Sequence, residues 1–119
     1  MKGLHIIADL YGCRNREMLA SSAMLRESCV AACKDVGLTV LGDHFYQFEG
    51  LDATQAGGAT GAVVFAESHL AIHTWPEHGY AAADVFTCGE NFLHQVFVKT
   101  MGRGLNAQRV ETRTLKRGK

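Results

Sequence analysis

The residues best suited to chemistry crowd into one stretch, Glu67-Ser68-His69-Leu70-Ala71-Ile72-His73-Thr74-Trp75-Pro76-Glu77, which continues to Asp84-Val85-Phe86-Thr87-Cys88-Gly89. His69 and His73 stand four apart, a spacing that puts two metal ligands on one face of a helix. Ile72, Thr74, Trp75 and the following Pro76 favour a strand instead. On a strand, positions 69, 71 and 73 share a face, with roughly 6–7 Å between alternate residues. Zinc needs a third and usually a fourth ligand. Cys88, His78 or Glu77 could supply them, but no spacing demands it. The second reading is nucleophilic: Ser68 as nucleophile, His73 as base and Cys88 as a thiol acid build a site if the fold brings them together. The ordinary alternatives are a hydrogen-bonded strand serine and histidine, and a small buried thiol.

The elements that must position these residues follow from periodicity and punctuation. Residues 4–10 read as a strand, broken at Tyr11-Gly12-Cys13. Residues 15–36 read as one helix, because Met18, Leu19, Ser22, Leu25, Cys29, Ala32 and Cys33 recur at spacings of three and four, and Gly37 stops it. Leu38 to Phe48 is a strand, Glu49 to Thr60 a loop of small and polar residues, and Gly61 to Ala66 a short apolar strand. Ser68 to Thr74 and Tyr80 to Thr87 are two more strands, joined by a turn at Trp75-Pro76-Glu77-His78-Gly79. Glu90 to Met101 reads as a second helix with Phe92, Val96, Phe97 and Val98 on its apolar side, ended by Gly102 and Gly104. Ala107 to Thr114 is the last strand. The order β-α-β-β-β-β-α-β predicts an α+β two-layer sandwich, a largely antiparallel sheet with two helices on one face. The other face then needs a cover, and a second subunit is the simplest one.

Composition bounds the partners. The 119 residues carry 12 Lys plus Arg against 12 Asp plus Glu, with 47% hydrophobic and 20% charged residues. That fits one globular domain spanning residues 1–119, argues against a general nucleic-acid binder, and favours self-association. Apolar runs fall short of the 18–20 or so residues that span a bilayer, and Asp9 interrupts the N-terminal run, so neither a membrane span nor a secretory signal is expected. Cys13, Cys29, Cys33 and Cys88 contain no C-x-x-C pair, which fits reduced thiols in a cytoplasmic protein.

The run from Glu67 to Glu77 and the following Gly79-Tyr80-Ala81-Ala82-Ala83-Asp84-Val85-Phe86-Thr87-Cys88-Gly89 closely resemble the small prokaryotic S-adenosylmethionine decarboxylase proenzymes. The resemblance extends more weakly over most of the chain, including Tyr11-Gly12-Cys13 and Phe45-Tyr46-Gln47-Phe48. It implies self-cleavage between Glu67 and Ser68, giving chains 1–67 and 68–119. Ser68 would become a pyruvoyl group, the only cofactor implied, which holds the substrate amine as a Schiff base; no metal is implied. By the same resemblance, His73 accepts a proton in processing, Thr60 stands where relatives carry an assisting Ser, and Cys88 donates a proton to the substrate α-carbon. Phe48 matches an aromatic that stacks on adenine, and Glu77 a carboxylate that takes ribose hydroxyls.

The expected activity is decarboxylation of S-adenosylmethionine for spermidine synthesis by a homodimer of processed protomers. The alternatives are the same chemistry on ornithine or arginine, giving putrescine or agmatine, and a non-catalytic binding module. The segment 49–60 departs most from the family, being longer, Gly-rich and acidic through Glu49 and Asp52.

Overall fold

The structure, a computed structural model, describes residues 2–66, 68–88 and 91–118, with residues 91–96 described by their backbone alone. Strand β1 spans Lys2–Tyr11, followed by helices α1 (Arg16–Leu19) and α2 (Ser22–Asp35). Then come β2 (Val40–Gln47), β3 (Ala59–Phe65), β4 (Ser68–Trp75), a 3-10 turn at Pro76–His78 and β5 (Tyr80–Thr87). Helix α3 (Asn91–Gly104) and strand β6 (Arg109–Gly118) complete the chain. The six strands form one sheet in the order β2-β3-β4-β5-β1-β6, and every neighbouring pair is antiparallel. The α+β two-layer architecture, with helices on one side of the sheet, is as the sequence predicts.

Each difference from the predicted elements has a local cause. The single helix expected over 15–36 is two, because Ser21 takes an extended backbone and its hydroxyl accepts from the Met24 N–H at 3.1 Å, capping α2. Asn15 caps α1 in the same way through Met18 N–H. The expected stripe survives the break: Leu19, Leu25, Cys29, Ala32 and Cys33 are buried. Gly37 stops α2 with φ +84, while the Leu38 N–H reaches back to the Cys33 carbonyl at 3.0 Å.

Helix α3 does not stop at Gly102; it runs through Gly104. Met101 and Leu105, on either side of these glycines, are both fully buried, and that burial outweighs the roughly 1 kcal/mol helix penalty of a glycine. The turn falls instead at Asn106, which adopts φ 52 and lets Ala107 N–H donate to the Gly102 carbonyl at 2.9 Å. Strand β6 runs four residues past the predicted end, pairing with β1 as far as Lys2 opposite Gly118. Of the residues expected on the apolar side of α3, Phe97 is buried and Val98 partly so, while the side chains of Phe92 and Val96 lie outside the described residues.

The core lies between the sheet and the helices. Leu10, Ala8, Ala81, Val85, Leu70, Ile72, Val63 and Phe65 point toward Leu19, Leu25, Cys29, Phe97 and Met101. Thr74 belongs to this side too: its hydroxyl donates to the Leu19 carbonyl at 2.7 Å and accepts from Ala59 N–H at 2.9 Å. Strand alternation therefore turns His5, Ile7, His69, His73, Trp75, Asp84 and Phe86 to the opposite face, which carries no helix among the described residues.

Candidate active site

Antiparallel register places the chemical residues in two groups. Thr60 is directly opposite His73, and its hydroxyl oxygen is 2.5 Å from His73 Nδ1. Thr60 was expected in a loop, but β3 begins at Ala59, and that two-residue extension is what sets it beside the histidine. His73 is followed by the buried Thr74 and flanked by the Trp75 ring, 6.3 Å away centre to centre.

The second group is at the far end of β4. Ser68 is the first residue of β4 and pairs with Phe65 of β3. The β4–β5 ladder pairs His69 with Phe86, so Ser68 stands level with Thr87, and the exposed Cys88 follows immediately. Glu67 lies outside the described residues. Ser68 and His73 are five steps apart on one strand, about 17 Å. One protomer thus sets Ser68 and Cys88 at the same end of neighbouring strands and joins Thr60 to His73, but keeps the two pairs apart.

The expected binding residues join the second of these pairs. A cleft of about 390 Å³ is lined by Phe48, residues 49–51 and 55–59, His73, Thr74, Trp75 and Glu77. Phe48 lies just past the end of β2 and packs edge-on against Tyr46, their centroids 5.2 Å apart. Glu77 sits in the 3-10 turn, whose Pro76 carbonyl accepts from Arg16 Nη1 at 2.8 Å and whose end is set by Gly79 at φ +57. Trp75 also stacks on Tyr80, and Tyr80 on Tyr11, with Arg109 lying 4.4 Å above the Tyr11 ring. A cleft with an aromatic edge, an indole and a carboxylate can hold a flat heterocycle and a diol.

The histidine grouping differs from the zinc reading. His69 does not pair with His73; it joins His5 and Asp84, whose ligand atoms all lie within 4.8 Å of one another. His5 Nε2 is hydrogen-bonded to Asp84 Oδ2 at 2.8 Å, and His69 Nε2 is 3.5 Å from the same oxygen. Phe86 packs against both imidazoles. Sequence reading missed this cluster because His5 and Asp84 are 79 residues apart and only the β1–β5 register joins them. The one available signal was their shared strand parity.

Burial sets the four thiols apart. Burial raises the Cys13 thiol and pushes Cys33 up to about 11, and Cys29 is raised by burial and by Cys33 beside it. Cys88 alone among the four is exposed.

A single antiparallel sheet with helices on one side and a cleft at the rim of the other defines a two-layer α+β domain with a small-molecule site. The family model described as S-adenosylmethionine decarboxylase matches residues 4–118, and the chain belongs to that family. It is 41% identical over 116 residues to the S-adenosylmethionine decarboxylase proenzyme of Aquifex aeolicus, covering 98% of this chain and 81% of that one. The proenzyme of Thermotoga maritima is 37% identical over 117 residues, covering 98% and 85%. The crystal structure of the Aquifex aeolicus adenosylmethionine decarboxylase superposes with a TM-score of 0.84 at 40% identity, over 98% of this chain and 90% of that chain. A Trypanosoma brucei decarboxylase monomer shares the fold at a TM-score of 0.62 and 14% identity, over 93% of this chain and 44% of that longer one.

Proposed function

We propose that this chain is a self-processing decarboxylase of S-adenosylmethionine that works as a homodimer with a pyruvoyl group made from Ser68. The observation that carries the substrate is the cleft, where Phe48, Trp75 and Glu77 meet beside His73. Phe48 and Trp75 offer faces for a flat heterocycle and Glu77 a carboxylate for a ribose diol, and the named relatives are S-adenosylmethionine decarboxylase proenzymes.

Ser68 is suited to be the precursor. It opens β4, which pairs with β3 over residues 68–73 and with β5 over residues 69–75. A break ahead of residue 68 therefore leaves the new chain end held by the β3 ladder, with the β5 ladder starting one residue on. In processing, Ser68 Oγ adds to the Glu67 carbonyl carbon, the peptide C–N bond breaks, and an ester takes its place. His73 removes the Ser68 α-proton, expelling the Glu67 carboxylate, and hydrolysis with loss of ammonia leaves chains 1–67 and 68–119. To take that proton at Nε2, His73 must keep its hydrogen on Nδ1 and donate it to Thr60 Oγ1, the contact seen here. The pyruvoyl carbonyl supplies an electron sink for decarboxylation. Cys88 then donates the proton that the substrate α-carbon needs.

The separation of about 17 Å within one chain means that Ser68 and Cys88 must meet His73 of a second copy. The sheet face opposite the helices suits that partner: Ile7 (40% exposed), Val64 (48%), Trp75 (38%) and Leu115 (48%) all open onto it. A two-fold axis across the strands reverses them, laying one protomer's Ser68 end against the partner's His73 end.

The test is the intact mass of freshly purified protein, followed by carbon dioxide release from S-adenosylmethionine, ornithine and arginine. Two chains split between Glu67 and Ser68, with release from S-adenosylmethionine alone, are expected. A single chain of 12.9 kDa after long incubation, or release from another amino acid, overturns the reading.

A further inference from the structure

One wall of the cleft, residues 48–51 and 55–58, belongs to the segment joining β2 to β3. Its tip is tied locally: Asp52 Oδ1 accepts from Thr54 N–H at 2.8 Å, from the Thr54 hydroxyl at 2.6 Å and from Gln55 N–H at 3.2 Å. Its base is gathered by one side chain. Gln47 Nε2 donates to the carbonyls of Phe48 (3.3 Å), Gly57 (3.2 Å) and Gly58 (3.1 Å). Gln47 Oε1 accepts from Ser22 N–H at 2.7 Å, at the first residue of α2. The backbone adds one bond at the same place, from Phe48 N–H to the Gly58 carbonyl at 2.9 Å.

We propose that Gln47 is a positioning residue for the substrate cleft: it fixes both ends of the 48–58 loop to α2 and thereby holds Phe48 on the cleft wall. Only a carboxamide combines two N–H donors, one here shared between two carbonyls, with an accepting oxygen on one planar group. A carboxylate could serve Ser22 but not the three carbonyls; an ammonium could serve the carbonyls but not Ser22. The glycines agree with so tight a gathering. A Cβ on Gly57 would come within 2.2 Å of the Phe48 carbonyl oxygen, and one on Gly58 within 2.0 Å of the Thr74 carbonyl oxygen. Thr74 adjoins His73, so this end of the loop lies close against the strand that carries the base. Gln47 itself does not line the cleft and acts through Phe48.

This inference rests on the proposed reading of the cleft as the S-adenosylmethionine site, and its test separates the two. Gln47→Glu keeps the size and the acceptor for Ser22 while replacing the donors with a charge that repels the carbonyls. Amide hydrogen exchange across 48–58 in the unliganded protein is expected to quicken about tenfold, and KM for S-adenosylmethionine to rise about tenfold with kcat within about threefold. Self-cleavage, followed by intact mass, should persist. Gln47→Met, which removes donors and acceptor without charge, should move exchange and KM in the same direction and serves if the Glu variant does not fold. Unchanged exchange at 48–58 overturns the clamp, and so does a fall in kcat at constant KM. If wild-type protein releases no carbon dioxide from S-adenosylmethionine, the functional reading falls while hydrogen exchange still decides the clamp.

Discussion

Combining a Ser68→Ala chain with a His73→Ala chain tests the two-protomer site directly. Ser68 and His73 are five residues apart on β4, about 17 Å, far beyond the hydrogen-bond reach of roughly 2.6–3.2 Å that proton transfer requires. If each site joins Ser68 of one protomer to His73 of the other, a mixed dimer has one doubly defective site and one with both residues intact. Random pairing of equal amounts makes half of the dimers mixed, so about one quarter of all sites are restored. The assay is coexpression with two affinity tags, tandem purification of mixed dimers, denaturing electrophoresis and carbon dioxide release. In purified mixed dimers only the His73→Ala chain should be cut, and activity should approach half that of wild type. Each variant alone should stay whole. No cleavage in mixed dimers would refute the argument from strand length, because it would mean that both residues must come from one chain.

Other consequences follow from individual contacts. Thr60→Val removes the hydroxyl that holds His73 Nδ1; self-cleavage should slow about two- to tenfold by time-resolved intact mass, and Thr60→Ser should restore it. In native protein a thiol reagent should modify the exposed Cys88 first, with the buried Cys13, Cys29 and Cys33 following only on unfolding, as peptide mass mapping would show. Tyr80 donates its hydroxyl hydrogen to Asp9, and that bond, then burial and the Asp9 charge, push its phenol from 10.0 up to about 12. A raised phenol stabilises the fold fully below pH 10.0 and loses that contribution as pH climbs through about 12. Thermal melts across that window should therefore fall more steeply for wild type than for Tyr80→Phe. Leu25→Ala, at a fully buried position under the sheet, should cost about 2–5 kcal/mol in denaturant unfolding.

The strands β4 and β5 were legible from short patterns, because alternating apolar residues and the Pro76–Gly79 turn act locally. The buried stripe of α2 was legible for the same reason, since Leu25, Cys29, Ala32 and Cys33 lie on one face at helical spacing. The runs from Glu67 to Glu77 and from Gly79 to Gly89 carried the family resemblance. Element boundaries were less secure where packing competes with propensity. Gly102 and Gly104 read as stops, but burial of Met101 and Leu105 carries α3 through them, and Ser21 divides a periodic stretch through one hydroxyl.

What the sequence determined alone is the set of candidate side chains and the alternation that turns His69 and His73 to the same side of the sheet. What only tertiary structure decided is which of them meet. Sheet register joins Thr60 to His73 across 13 residues and His5 to Asp84 across 79, whereas Ser68 and His73, neighbours in the motif, lie at opposite ends of a rigid strand. A strand advances about 3.3 Å with every residue, so closeness along it separates side chains that pairing between strands would bring together.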